Sequence, residues 1–251
     1  MKRKTPLLLL FILMECLLFA ACKKNDNRAD NWQVPMIKTE TSNNNVISYW
    51  YNNQARVVKL ENDDWVKVEY TYTRDSVFYK TTEIATNAVQ KESGKLDANG
   101  MLVSQGGRER KYDDNGRLTE EFFPPGSNGW QRRYKHYYNS ATGLLDSSRQ
   151  TESKLLQTRW MQTTIYTYYT DHTNTLGNEN KGMGFLGKSD PHPVRHSETW
   201  RPVAAVPFRE ITNSMDIQYG YDEQGRIVVE DRTEHRPDNT IAQWRTVYTY
   251  Y

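Results

Sequence analysis

The sequence has little cysteine and few aliphatic residues. Its 251 residues contain two cysteines, Cys16 and Cys22, and no disulfide can form once Cys16 is lost with the leading segment described below. Leu, Ile, Val and Phe make up 38 of the 230 residues from Cys22 to Tyr251, which is below the ~20% expected of packed globular chains. The chain therefore needs another source of packed surface.

An excess of charge of one sign is also missing. The totals of 33 basic and 31 acidic residues include Lys2, Arg3, Lys4 and Glu15 near the N-terminus, so residues 22–251 hold 30 of each. A nucleic-acid partner needs a basic stripe that can displace phosphate counterions. The balance indicates that nucleic acid is not a partner.

The N-terminus has the pattern of a secretory signal. A basic start, "MKRK", precedes the mostly apolar stretch Leu7 to Phe19 and the small residues Ala20 and Ala21. The apolar stretch is shorter than the ~20 residues that cross a bilayer as a helix, so a retained membrane anchor is the disfavoured alternative. We predict a signal peptide over residues 1–21.

The end of this segment, Phe19-Ala20-Ala21-Cys22, resembles the lipobox of bacterial lipoproteins, with Phe19 in place of the usual Leu. The resemblance implies cleavage before Cys22, a diacylglycerol on its sulfur, and attachment to the membrane through this lipid. Lys23 follows where Asp would favour retention, which implies the outer membrane. The expected domains are a lipidated tether over residues 22–44 and one folded domain over residues 45–251.

Aromatic residues take the place of the missing aliphatics. All 17 tyrosines and all 7 tryptophans follow Cys22. Each can bury ~150–250 Å² and still leave a polar tip in water. This composition favours a thin sheet over a thick globule.

A repeated phrase predicts how that sheet is built. It reads "YNNQARVVKLE" at residues 51–61, "KYDDNGRLTEE" at 111–121 and "YDEQGRIVVED" at 221–231, with looser copies at 72–79, 96–104 and 138–148. An Asp closes a turn on its own backbone, and a Gly supplies the left-handed residue of a bulged hairpin. The predicted turn residues are Asp97, Gly100, Asp113, Gly116, Asp222 and Gly225.

Two details of these corners follow from the same pattern. Tyr112 and Arg117 are expected to face each other across the turn. Ala55 stands where Gly belongs, and a left-handed Ala costs roughly 1–2 kcal/mol, so we expect that corner to turn differently.

The strands between corners alternate with a period of two and carry Trp-to-Tyr runs, in which Trp160, Tyr166 and Tyr168 are expected to share one face. The predicted fold is all-β: an antiparallel meander of repeated hairpins that forms a curved sheet or a partly closed barrel.

The corner phrase resembles the YD repeat of large bacterial shell-forming proteins. Together with the lipobox, it is more similar to a group of outer-membrane lipoproteins of unknown function with a porin-like β-meander. A true membrane barrel is the disfavoured alternative, because its strands need apolar residues facing lipid. Here the strands carry Arg132, Arg133, Lys135, Gln162 and Arg245.

Residues 170–198 form the one long segment without periodicity. His172, His192 and His196, with Asp171 and Asp190, are residue types that bind zinc, although a solvated loop is the favoured interpretation. Met183, Phe185 and Leu186 in the same segment are hypothesised to plug one end of the barrel.

No catalytic motif of the serine-hydrolase, zinc-protease or P-loop type is present, and we predict no catalytic residue, metal or cofactor. The first functional hypothesis is a binding or scaffold protein that holds a glycan, lipid or protein ligand on an aromatic-rich sheet. A cavity lined by several of Trp65, Trp130, Trp160 and Trp244 would support it. A purely structural envelope protein is the second, and an enzyme using the long loop is the third.

Overall fold

The computed structural model describes residues 34–43, 45–63, 65–155, 157–202 and 209–251. These belong to one compact unit, Gln33–Tyr251. The predicted signal peptide, Cys22 and most of the predicted tether lie outside the described residues.

Sixteen strands and one short 3-10 helix make up the described chain. The strands are β1 Ile37–Ser42, β2 Asn45–Tyr51, β3 Val57–Asn62, β4 Val66–Tyr72, β5 Ser76–Glu83, β6 Val89–Leu96, β7 Leu102–Gln105, β8 Arg108–Tyr112, β9 Leu118–Phe123, β10 Gln131–Tyr138, β11 Leu145–Lys154, β12 Gln157–Tyr168, β13 Val194–Pro202, β14 Arg209–Tyr221, β15 Ile227–His235 and β16 Ile241–Tyr250. The helix, η1, spans Gly184–Leu186.

Each strand pairs antiparallel with its neighbours in sequence, and β1 pairs with β16 to close the barrel. The predicted all-β meander is confirmed, and the closure is complete rather than partial. The first strand begins at Ile37, inside the segment predicted to be tether, and the long loop ends where β13 begins at Val194.

The corners lie at one end of the barrel, which we call the corner end, where each even-numbered strand turns into the next odd-numbered one. In the corner after β8, Asp113 Oδ1 accepts hydrogen bonds from the backbone N–H of Asn115 and of Arg117, at 3.0 and 2.9 Å. Gly116 follows with a φ of +79°. The corners built on Asp97 with Gly100 and on Asp222 with Gly225 repeat these bonds and this conformation.

Two expectations about the corners are wrong. Ala55 does take the left-handed conformation, with a φ of +56°, and Asn52 closes the turn as Asp113 does. Tyr112 pairs with Leu118 rather than with Arg117. The cause is a bulge: Arg117 turns back, and its Nε donates to Asp113 at 2.8 Å.

A belt of tyrosines runs around the corner end. In seven of the eight hairpins, a tyrosine near the end of the even-numbered strand donates its hydroxyl to the carbonyl of the first residue of the preceding odd-numbered strand. The pairs are Tyr51–Ile37, Tyr72–Val57, Tyr112–Leu102, Tyr138–Leu118, Tyr168–Leu145, Tyr219–Val194 and Tyr250–Ile227, with O···O distances of 2.5–3.0 Å. This tyrosine belt explains why the corner phrase couples a Tyr to an aliphatic residue.

The outer wall of the barrel is charged. Glu69 bonds both Lys67 and Lys80 at 2.9 Å, and Asp231 bonds Arg245 at 2.7 Å. These side chains alternate with the inward-facing belt positions and so point outward. Among the described residues, no helix is long and apolar enough to span a membrane.

Trp160 departs from the predicted face. A register shift on β11 places Trp160 opposite Thr151 and Gln162 opposite Gln150, so two residues of β12 lie where one would normally fit. Trp160 therefore leaves the face that holds Tyr166 and Tyr168, and its ring packs edge-on against Trp200 with centroids 4.7 Å apart.

Candidate functional site

The long segment folds into the corner end as a plug, which we define as residues 170–193. Its apolar part lies against the tyrosine belt: Phe185 is 9% exposed, and its ring meets the rings of Tyr72 and Tyr79 at 6.0 and 6.5 Å. Met183 and Leu186 also pack on the core cluster. The hypothesised plug is therefore present.

The plug supplies hydrogen-bond acceptors that the barrel wall lacks. The N–H groups of Ile37 and Val57 donate to the carbonyls of Asn180 and Gly182, at 2.9 and 3.0 Å. These residues begin odd-numbered strands next to register shifts, where a bulge leaves ladder groups unpaired.

Two further strands use plug side chains in the same way. Leu145 N–H donates to Asp190 Oδ1, and Ile227 N–H donates to Thr175 Oγ1, both at 2.9 Å. At all four positions the carbonyl is bound by the tyrosine belt and the N–H by the plug. The plug thus completes the hydrogen bonding of the wall, because a buried backbone group without a partner is costly.

Two carboxyl groups connect the plug to the interior. Lys181 of the plug binds Glu40 of β1 at 2.6 Å, and Tyr49 donates its hydroxyl to the same carboxylate. Asp190 accepts from Tyr168 at 3.1 Å in addition to Leu145, and burial raises the pKa of the Asp190 carboxyl. Both groups serve in holding the plug.

The histidines of this segment do not converge. His192 Nδ1 lies 2.7 Å from the carbonyl of His172, while His172 stacks on Tyr221 at 4.2 Å. His196 is on β13, where it contacts Asp216 at 2.7 Å. Within the described ranges, no group of three or more His, Cys, Asp or Glu side chains could hold a metal ion.

The four tryptophans named from the sequence are also dispersed. Trp65 is 78% exposed in the turn before β4, Trp160 packs on Trp200, and Trp244 is half-buried opposite Arg232. Trp130 lines a cavity of about 300 Å³. The expectation that several of these rings line one cavity is not met.

An arginine cluster, which sequence reasoning missed, lines the inner wall away from the plug. It consists of Arg108, Arg110, Arg132 and Arg159 with Glu121 and Glu152. Within this cluster, Glu152 bridges two arginines: it binds Arg159 at 2.7 Å and Arg132 at 3.4 Å. The hydrogen bond from Arg159 lowers the pKa of the Glu152 carboxyl, which therefore stays ionised near neutral pH.

Aromatic rings accompany these arginines. Arg159 lies over the Trp130 ring at 4.2 Å, and Arg108 lies over the Phe123 ring at 4.1 Å. A guanidinium stacked in this way keeps N–H groups at its edge free to bind a ligand. Solvent reaches the cluster, since the side chains of Arg132 and Arg159 are 49% and 53% exposed.

The cavity beside Trp130 is the candidate functional site. Its lining consists of Phe123, Trp130, Arg132 and Glu152, together with the turn residues Pro124, Gly126, Ser127 and Asn128. The turn is fixed by Asn128, whose side chain accepts from Trp130 N–H at 3.0 Å and whose carbonyl accepts from Lys154 at 2.8 Å. The site brings two aromatic rings, an arginine and a carboxylate into one lining.

Comparisons with known proteins agree with the fold. No protein-family model and no curated protein matches the chain. A porin-like protein from Bacteroides uniformis superposes with a TM-score of 0.50 at 9% identity, over 86% of this chain and 96% of that one. A porin-like protein from Bacteroides vulgatus gives a TM-score of 0.52 at 11% identity, over 86% and 99%. The chain has the fold of these porin-like barrels.

Proposed function

We propose that the chain is a non-catalytic binding protein of the bacterial outer membrane, anchored through a lipid on Cys22, which holds a soluble glycan at the Trp130 cavity. One observation carries the proposal: the barrel is plugged at the corner end and charged outside, while its solvent-exposed aromatic and charged groups converge inside the other end. A plugged barrel with a charged wall is suited to holding a ligand rather than to conducting one.

The chemistry of the cavity favours a sugar. Trp130 and Phe123 bring aromatic rings to the lining, and the half-exposed Arg132 brings hydrogen-bond donors beside them, oriented by Glu152. A volume of about 300 Å³ is at the lower end of ligand sites. It therefore fits a short segment of a glycan rather than a large cofactor.

The charged side chains of the outer wall favour a barrel that is tethered to the membrane by a lipid, rather than a barrel that spans the membrane. The outward ion pairs of Glu69 and Asp231 would have to enter hydrocarbon, and lipid-facing Lys or Arg costs about 2–4 kcal/mol each at the bilayer midplane. A lipid on Cys22 avoids this cost, since acyl chains alone can hold the protein at the membrane.

A purely structural role is the second candidate. It is favoured by the tyrosine belt and by the Trp160–Trp200 pair, because these aromatics are used in packing and backbone hydrogen bonding. An enzyme acting through the long loop is less well supported, since Asp190 and Thr175 in that loop are engaged with the barrel wall.

Tryptophan fluorescence during titration with a panel of soluble glycans tests the proposal. We expect saturable quenching by at least one glycan, which Trp130→Ala abolishes and Trp160→Phe preserves, since Trp160 lies on the outer wall. If no glycan quenches the parent protein, the structural role is favoured instead. If the fluorescence of Trp130→Ala is quenched as that of the parent is, the Trp130 cavity is not the glycan site.

A further inference from the structure

The barrel end opposite the plug, which we call the far rim, carries exposed apolar side chains. Within the described residues, four of its eight strand connections have a large apolar residue at or beside the turn. These are Trp65, Val89, Leu155 and Ile241, which are 78%, 52%, 96% and 60% exposed.

The corner end differs. The tips of its six short turns are occupied by polar residues or alanine, at positions 53–54, 74–75, 98–99, 114–115, 140–141 and 223–224. Both ends consist of solvent-facing turns in the same barrel, so exposure alone does not account for the difference. At the corner end, Val34 and Tyr251 at the ends of the described chain are 37% and 54% exposed. Among the turns, the exposed apolar residues belong to the far rim.

Leu155 is the clearest case. It has a φ of +52°, a conformation that Gly or Asn adopts at lower cost, and its side chain is 96% exposed. Neither the turn geometry nor internal packing gains from a leucine at this position. Such a residue indicates a contact made outside the chain.

We propose that the far rim rests on a lipid bilayer, with its apolar turn tips inserted among the headgroups. The neighbouring β7–β8 and β9–β10 connections, which are described in full and border the Trp130 cavity, carry no exposed large apolar residue. This side of the rim therefore stays clear of the bilayer and leaves the cavity open to solvent. The tips are set around a ring and separated by polar neighbours such as Asp63, Lys154 and Asp238. A fluid interface accepts separated tips without shape complementarity, whereas a protein partner needs a contiguous patch. Trp65 is the side chain type that favours the membrane–water boundary.

The charges beside the tips indicate which bilayer property is recognised. Arg201 is paired with Glu210 near the β13–β14 connection, and Arg236 is paired with Glu234 near Ile241. The basic side chains at these two connections are thus neutralised, so we expect binding to depend on apolar insertion rather than on anionic lipid.

The proposed lipid anchor on Cys22 would keep a bilayer within reach of the far rim, and in this respect the inference rests on the proposed function. From Cys22 to Pro35 the chain can span at most roughly 45 Å. A ten-residue strand such as β16 is about 33 Å long. The tether is thus long enough to run from the corner end past the wall to the membrane beneath the far rim.

Sedimentation with sucrose-loaded vesicles tests the inference with the mature chain carrying Cys22→Ser, so that no acyl chain contributes. We expect the protein to partition onto pure phosphatidylcholine vesicles. The partition coefficient should change little between about 0.1 and about 0.5 M salt, a range over which the screening of surface charges increases. The double variant Trp65→Ser with Leu155→Ser should lower the partition coefficient about a hundredfold, because each side chain buried in the interface contributes about tenfold.

Phe78→Ser is the matched control. Phe78 is 45% exposed on the outer wall rather than at the rim, so its loss should leave partitioning unchanged. Circular dichroism establishes that all variants fold.

Three results would overturn the inference: no partitioning of the parent protein, an equal loss in Phe78→Ser, or a concentration-dependent dimer that the double variant abolishes without any vesicle binding. The anchor is read separately, by mass spectrometry of Cys22 from native membranes. A bare thiol there refutes the anchor and leaves the vesicle result standing.

Discussion

Residues in the corners show how much local sequence determines. Asp113 and Gly116 act within five residues of each other, so their turn can be predicted without knowing the rest of the fold. Ala55 cannot be predicted in the same way. It takes the left-handed conformation without being a glycine, in a turn that Asn52 closes and beside Val57, whose N–H donates to the carbonyl of Gly182.

The strain at Ala55 can be relieved by substitution. Ala55→Gly should raise the free energy of unfolding by about 0.5–1 kcal/mol, because it removes a left-handed cost of roughly 1–2 kcal/mol and adds the chain entropy of glycine, roughly 0.5–1 kcal/mol. Thermal unfolding measures this as a rise in Tm of about 2 °C.

Ala98→Gly is the control for that substitution. Ala98 lies in the equivalent corner after β6 but does not have a positive φ. The Ala98→Gly substitution therefore adds the chain entropy of glycine without relieving strain, and should lower Tm slightly. An equal rise in both variants would show that Ala55 is not strained.

Asp190 predicts a pH dependence of the plug. Burial raises the pKa of its carboxyl, so the folded state holds the proton more tightly than the unfolded state. The contribution of Asp190 to stability is then greatest at low pH and is lost as pH rises through the folded-state pKa. Asp190→Asn keeps an acceptor for Leu145 N–H and removes the buried charge.

We expect Asp190→Asn to have a higher Tm than the parent at pH 7 and a difference that shrinks at pH 3.5. Asp190→Ala should instead lose about 1–3 kcal/mol at both pH values, because Leu145 N–H is left without its acceptor. Identical Tm values for Asp190→Asn and Asp190→Ala would contradict this role.

Elements are held by the tyrosine belt and the plug, and these were only partly predictable. The two-residue alternation of Tyr and aliphatic residues indicates strands. It does not show that the tyrosine hydroxyl reaches the carbonyl of the first residue of the preceding strand, since that distance depends on bulges such as the one between Lys111 and Tyr112. For the same reason the sequence did not indicate that Arg110 and Arg132 face inward as a cluster.

Tyr112→Phe tests the belt. Removing the hydroxyl leaves the Leu102 carbonyl without its 3.0 Å bond and should lower the free energy of unfolding by about 1 kcal/mol, measured by urea denaturation. Tyr70→Phe serves for comparison, because the Tyr70 hydroxyl makes no hydrogen bond with the described residues and its ring packs edge-on against Tyr79. A belt without energetic value would give equal midpoints for the two variants.

Gly182→Ala tests the plug. Gly182 has a φ of +66°, and an added Cβ would lie 2.6 Å from Val57 N and 2.8 Å from the Ala55 carbonyl. The left-handed conformation alone costs roughly 1–2 kcal/mol, and the contacts with backbone add to it. We expect a clear loss of Tm, together with faster proteolysis within residues 170–193.

Gly184→Ala provides the comparison for the plug, since an added Cβ there meets nothing within 4 Å. It should behave as the parent protein does. If Gly182→Ala also behaves so, the plug is not docked on β3.

At the scale of the whole molecule, the barrel has a charged outer wall and is closed by pairing of its first and last strands. Barrel closure could not be derived from the sequence, because it depends on pairing between residues such as Ile37 and Tyr250, which lie at opposite ends of the described chain. Local turn chemistry specifies that neighbouring strands pair; it leaves the number of strands and their closure open.

Cys22→Ser tests how the molecule is held at the membrane. If the lipid is the anchor, this variant should no longer need detergent for extraction: repeated washing should release it from the envelopes, because contact of the far rim with a bilayer is reversible without an acyl chain. Immunoblotting of the fractions measures the change. A variant that still needs detergent would indicate that the barrel itself is embedded.

The pairing of β1 with β16 also bears on how the chain matures. The Thr39 and Thr249 hydroxyls that meet at 2.7 Å across this seam are 210 positions apart in sequence, and contacts of such long range slow folding. Until the final strand arrives, the first strand keeps an unpaired edge that invites association with other chains. Protection of that edge during export is therefore a requirement that this architecture places on the cell.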